Sequence, residues 1–331
     1  MFDYDEEGHS IVIADGTELL VYDGQTEAPR WRTDVGARLV GVASNAISVL
    51  SLDVTGELKV WSHETATEVR SFALGVPATG LVSEFEGRAG ALHAGGVVAV
   101  NAGEPRAHDV EGASAAAFGG EELVIGTEAG ALHVFGEDGA FVGRAEVPGP
   151  VHSITWCAGG FFFVANGRSV HRLDGLEVAQ VTNAPEDEVV RTVACSASGD
   201  RLALHLSSHM VVVLDYPSRE TVGHAHYADR EVVGVAFGPA QWLGVGLDLG
   251  DGNKFDLATG ATHRTDTHPG RTHNRWILMN GFGPPEPARA PAPAPMPGGT
   301  ELPPQDSSGM FWLIGAVLVL VAIAAFLIST S

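Results

Sequence analysis

A short strand-and-turn motif recurs along this chain at near-constant spacing, and it restricts the fold more than any other feature. It reads ELLVYDGQT at 18–26, ELKVWSHET at 57–65, ALHVFGEDG at 131–139, SVHRLDG at 169–175, MVVVLDYPS at 210–218 and GNKFDLATG at 252–260. A degenerate copy, GVVAVNAGE at 96–104, fills the one gap. Each copy alternates apolar and polar residues and leaves through a turn rich in Asp, Gly and Thr, the pattern of a strand entering a hairpin. The repeat is roughly 34–43 residues, long enough for four short strands per unit.

A second series of strands opens the units: RLVGVAS (38–44), ATGLVSEF (78–85), SAAAFG (114–119), HSITWCA (152–158), VRTVACSAS (190–198) and VVGVAFG (232–238). There are six of these against seven of the first kind. The first unit begins at SIVIAD (10–15), and an unmatched strand, HNRWILMNGFG (273–283), comes after the seventh. The expectation is an all-β fold: a seven-bladed β-propeller closed by a C-terminal strand that completes the first blade. Closure of that kind removes sheet edges. Asp23-Gly24, Asp138-Gly139 and Asp251-Gly252 are read as hairpin turns needing positive φ, not as ligands.

With these residues in view, the repeats resemble those of WD40 and related quinoprotein-like β-propellers, over about 270 residues. Val60-Trp61 and Val134-Phe135 stand where that family ends its third strand in Trp-Asp. Ala258-Thr259-Gly260 and Gln25-Thr26 resemble its exit turns, and Gly223-His224 falls near its Gly-His. No copy ends in a full Trp-Asp, and Arg30-Trp31-Arg32 leans toward the quinoprotein type. The resemblance implies a rigid platform for other proteins.

Residues 1–280 are thus expected to form the propeller, with two further segments after it. Residues 281–309 carry nine prolines in 29 positions. That composition gives a disordered linker of polyproline II character, spanning up to about 90 Å when extended. Residues 310–328, MFWLIGAVLVLVAIAAFLI, hold no charge and no proline. As a helix they would be roughly 28 Å long, matching a bilayer core. The expectation is a single-pass tail anchor, with the lipid bilayer as partner through 310–328. The acidic start MFDYDEEGHS lacks a basic n-region and an apolar run, so the propeller is expected in the cytoplasm.

The chain carries 41 acidic and 19 basic residues, a net charge of −22. Such a surface repels phosphate backbones, so nucleic acid is excluded as a partner. Cys157 and Cys195 lie in apolar strands and read as buried structural thiols. Gly-rich phosphate loops, nucleophile elbows, CxxC pairs and zincin motifs are absent from the sequence; His63-Glu64 begins like HExxH but Thr67 ends the match. The chain is expected to be neither an enzyme nor a cofactor binder.

One constellation remains, a run of histidines between 205 and 273. His224 and His226 would share a strand face, and His263, His268 and His273 crowd the segment before the last strand. Neutral imidazoles gathered this way could bind Zn²⁺ or Cu²⁺, or sense pH, but their spacing matches no zinc pattern and the expectation is no metal site. The favoured reading is a membrane-tethered scaffold at the cytoplasmic face whose partners are other proteins. Its alternatives are a ligand- or metal-binding, even catalytic, propeller using the central channel, and an outward-facing envelope assembly factor of quinoprotein-like type.

Overall fold

The computed structural model describes residues 2–4, 10–23, 29–44, 48–83, 88–101, 103–158, 160–227, 229–238, 242–248, 252–265 and 277–278. Among these the strands form seven antiparallel sheets, each built around four strands from one contiguous stretch of chain. Blade 1 is β1 (Phe2–Tyr4), β2 (Ser10–Asp15), β3 (Glu18–Asp23) and β4 (Pro29–Asp34). Blade 2 is β5 (Leu39–Ser44), β6 (Val49–Asp53), β7 (Glu57–Trp61) and β8 (Glu68–Ala73). Blade 3 is β9 (Gly80–Ser83), β10 (Ala89–His93), β11 (Gly96–Asn101) and β12 (Glu104–Asp109). Blade 4 is β13 (Ala113–Gly119), β14 (Glu122–Thr127), β15 (Ala131–Gly136) and β16 (Phe141–Glu146). Blade 5 is β17 (Val151–Cys157), β18 (Gly160–Ala165), β19 (Ser169–Asp174) and β20 (Glu177–Asn183). Blade 6 is β21 (Val190–Cys195), β22 (Arg201–Leu206), β23 (Met210–Asp215) and β24 (Thr221–His226). Blade 7 is β25 (Val232–Phe237), β26 (Trp242–Leu247), β27 (Gly252–Asp256) and β28 (Thr262–Thr265). A last strand, β29 (Ile277–Leu278), adds to blade 6.

This is a seven-bladed β-propeller. All seven copies of the recurring motif supply third strands, the degenerate one included. The middle strands read as unbroken apolar runs because neighbouring blades cover both of their faces, and the strand period of two shares the side chains between them. In β18, Phe161, Phe163 and Ala165 enter the core shared with blade 4, while Phe162 and Val164 enter the core shared with blade 6. The apolar interior is therefore a set of wedges, each lying between two blades.

Polar contacts reinforce the wedges at two radii. Near the axis, the Ser44 N–H donates to Asp3 Oδ2 (2.7 Å), Ser114 Oγ donates to the Val151 carbonyl (2.6 Å), and the Val193 N–H donates to Ser153 Oγ (3.2 Å). At the rim, outer strands reach the exit turn of the next blade. Arg30 Nη1 and Trp31 Nε1 donate to the His63 carbonyl (3.5 and 2.9 Å), Arg70 Nη2 donates to the Gly103 carbonyl (3.3 Å), and Arg106 donates to the Asp138 carbonyl. Where inner strands approach most closely, glycine is required. A Cβ on Gly41 would lie 2.1 Å from that of Leu81 in blade 3. At the predicted turn 138–139, Gly139 has a φ of 70°; Gly252 opens β27, and Gly24 lies outside the described residues.

Closure differs from expectation. The first blade does have an opening strand: Phe2, Asp3 and Tyr4 pair with Ile13, Val12 and Ile11. The segment expected to complete blade 1 instead pairs with the outside of blade 6 through Ile277 and Leu278. The ring thus closes by packing, with Ile11, Ile13, Leu20 and Tyr22 of blade 1 against Ala236 and Trp242 of blade 7.

The cysteines also differ from expectation. Cys157 and Cys195 end the inner strands of blades 5 and 6, their Cα atoms are 6.1 Å apart, and they form a buried disulfide between the blades. No helix among the described residues is long and apolar enough to cross a membrane. The expected linker at 281–309 and anchor at 310–328 lie outside the described residues.

Candidate functional site

The inner strands enclose an axial cavity of about 320 Å³ lined by Asp3, Ser44, Ser83, Ser153, Thr155 and Thr192 among the small apolar side chains of the same strands. Phe118, Trp156 and Phe237 also border it. Several of its polar groups are used between blades: Asp3 and Ser153 accept the bonds described above, and Thr155 Oγ1 lies 3.7 Å from Cys195 Sγ. The lining contains no base paired with a nucleophile and no second carboxylate beside Asp3. Its chemistry is that of a polar channel.

The histidines are distributed rather than gathered. His224 and His226 do share one face of β24, opposite Val212 and Met210 of β23. His226 is exposed, with Nε2 3.1 Å from the Ser208 carbonyl. His263 belongs to β28, in a different sheet, and His268 and His273 lie outside the described residues. Among the described residues no group of three or more His, Cys, Asp or Glu is placed to hold a metal ion. The acidic run near 248–256 is likewise dispersed. Asp248 binds Arg230 Nε (2.5 Å), Asp256 caps its own turn at Ala258 N (2.8 Å), and Asn253 is buried.

His205, in β22, is 4 % exposed and its Nε2 has no hydrogen-bond partner. Burial, then the nearby charges of Arg191 and His209, hold its pKa down at about 4. It is neutral at physiological pH and part of the blade. His171 behaves similarly: Nε2 lies 2.8 Å from Ser169 Oγ, the ring stacks on Phe163 at 5.3 Å, and burial lowers its pKa.

The tryptophans among the described residues stay mostly inside. Trp61 is buried and donates to Ser51 Oγ (2.8 Å); Trp31, Trp156 and Trp242 are half-buried. Trp276 lies outside the described residues. The exposed aromatic among the described residues is Phe141, 57 % exposed, on outer strand β16. Beside it Val142 is 56 % exposed, and Leu176, from the β19–β20 turn of blade 5, lies over Gly143. Phe141 is braced from beneath by Phe135 at 5.6 Å, edge to face. Together these side chains make an apolar patch on the rim that bridges blades 4 and 5.

Reading the sequence did not single out this patch. The signal was present: FVG opens β16, where the other outer strands begin with Glu, Pro or Thr. The patch lies on the circumference of the ring.

No family model matches the chain, and no curated protein sequence does. Solved structures do share its fold. The β-propeller domain of Cps50 (Swd1) from Myceliophteria thermophila aligns at TM-score 0.64 and 12 % identity, covering 74 % of this chain and 92 % of that one. A chain of the Mitotic Checkpoint Complex aligns at 0.61 and 13 %, covering 75 % and 85 %. BamB from Moraxella catarrhalis aligns at 0.52 and 13 %, covering 74 % and 81 %. At such identities the likeness establishes a WD40-like propeller fold and nothing finer.

Proposed function

We propose that this protein is a membrane-tethered docking platform for other proteins. The observation that carries the reading is the apolar patch of Phe141, Val142 and Leu176 on the rim where blades 4 and 5 meet. Exposed apolar groups rimmed by polar ones mark protein contacts, and aromatic anchors contribute most of the binding energy there. Propellers of this fold also occur within a multi-protein assembly, the Mitotic Checkpoint Complex. The apolar segment 310–328 supplies the tether and the proline-rich 281–309 the leash. Holding a partner within reach of such a leash makes its encounters with other membrane components effectively intramolecular, at up to about millimolar concentration.

The test is purification of the full-length protein in mild detergent, beside Phe141→Asp/Val142→Asp, with mass spectrometry of co-purifying proteins. The platform reading expects one or two stoichiometric partners on the native protein and their loss from the variant. No partner on either protein, or equal recovery on both, overturns it. Extraction of membranes with alkaline carbonate tests the tether: release of the native chain into the supernatant rules out a spanning anchor.

We propose further that the platform faces the cytoplasm. A second reading turns it outward, favoured by the Cys157–Cys195 disulfide, because such bonds persist mainly in oxidising compartments. Protease added to intact cells separates the two, since it degrades only an outward-facing propeller.

A further inference from the structure

We propose that the outer edge of blade 6 is a strand-accepting site whose resident occupant is the chain's own segment around Ile277 and Leu278, which latches the tail to the ring. Two independent observations carry this. The first is direct: β29 pairs antiparallel with β24, Leu278 opposite Gly223 and Ile277 opposite His224, making blade 6 the one sheet with a fifth strand among the described residues.

The second lies in the composition of the seven outer strands. An unpaired strand edge templates association, and proteins guard such edges with charge. Six of the outer strands do so: β4 carries Arg30, Arg32 and Asp34, β8 carries Glu68 and Arg70, and β12 carries Glu104, Arg106 and Asp109. β16, β20 and β28 contribute Arg144 and Glu146, Glu177, and Arg264. β24, TVGHAH, has no carboxylate, lysine or arginine. Its burial differs in the same sense, with Val222, Gly223 and Ala225 buried, whereas β8 is exposed at five of its six positions.

The third residue of the outer strand is Arg70 in blade 2 and Arg106 in blade 3, each reaching toward the next blade. In blade 6 it is Gly223 and in blade 4 Gly143, but only β24 couples that glycine, which leaves the edge open to a close backbone approach, to a strand without charge. The sequence has thus removed the guard from the one edge that the tail covers. Its consequence is positional. Blade 7 ends at Thr265, yet Ile277 and Leu278 are paired one blade back, on the outer strand of blade 6.

Two experiments on the full-length protein test the latch. Hydrogen exchange of the 221–226 amides is compared between the native chain and Ile277→Pro/Leu278→Pro, with β8 and β12 as internal references for an intact ring. The latch predicts exchange about tenfold faster at 221–226 in the variant, unchanged references, and restored protection on adding a synthetic 273–283 peptide. Equal exchange in both proteins overturns it. Independently, His224→Cys/Ile277→Cys is oxidised mildly, the native cysteines being already paired. The latch predicts a cross-link within one molecule. No cross-link, or one only between two copies, overturns the intramolecular occupant; the latter outcome identifies exchange of tails.

Discussion

His205 shows how a residue that looks chemical in the sequence becomes structural in the fold. Its imidazole is buried in blade 6 without a partner on Nε2, so the protonated form is disfavoured there. The folded ring takes up this proton only below about pH 4, whereas an unfolded chain takes it up below about 6.5. The stability it protects is therefore complete above 6.5 and is lost as pH falls toward 4. Urea unfolding at pH 7 and pH 4 should cost the native protein about 3 kcal/mol more than His205→Gln over that interval. An equal loss in both would remove His205 from the account. Gly41 is decisive for the opposite reason, having nothing to titrate and no room beside Leu81. Gly41→Ala should lower the unfolding free energy by about 1–3 kcal/mol, read from the urea midpoint.

At the scale of the element, the blade is a four-stranded sheet whose two faces belong to different cores. The ranking of contacts rests on that. Leu58 is buried between blades 2 and 3, and Leu58→Ala should cost about 2–5 kcal/mol. Arg70, exposed and bonded to one carbonyl of the next blade, should cost less than about 1 kcal/mol on truncation to Ala. Denaturant unfolding of the two variants side by side checks the order. The first and third strands were legible in the sequence because apolar alternation and glycine turns recur there. The opening strand of blade 1 was not, since three residues ahead of Asp5, Glu6 and Glu7 carry too little pattern to separate a strand from a polar start. The disulfide was hidden for a different reason: 38 residues separate the cysteines, and only the ring brings the ends of adjacent inner strands together. His224 and His263, close in the sequence, fall in two different sheets.

At the scale of the whole molecule, the ring is held by wedges of side chains and by one covalent link, between blades 5 and 6. Closing a loop of that size removes chain entropy from the unfolded state worth about 4 kcal/mol in the loop-closure picture. Urea unfolding with and without dithiothreitol should differ by about that amount, and identical midpoints would show that the link contributes nothing. The rim patch and the latch sit on different blades, 4–5 and 6. Each blade, finally, owns four strands that are consecutive in the chain. A ribosome releasing this protein from its N-terminus delivers each set of four before the next begins, and none of those sets must wait for a strand made later. Circularisation is then a single late event, the meeting of the finished surfaces of blades 1 and 7.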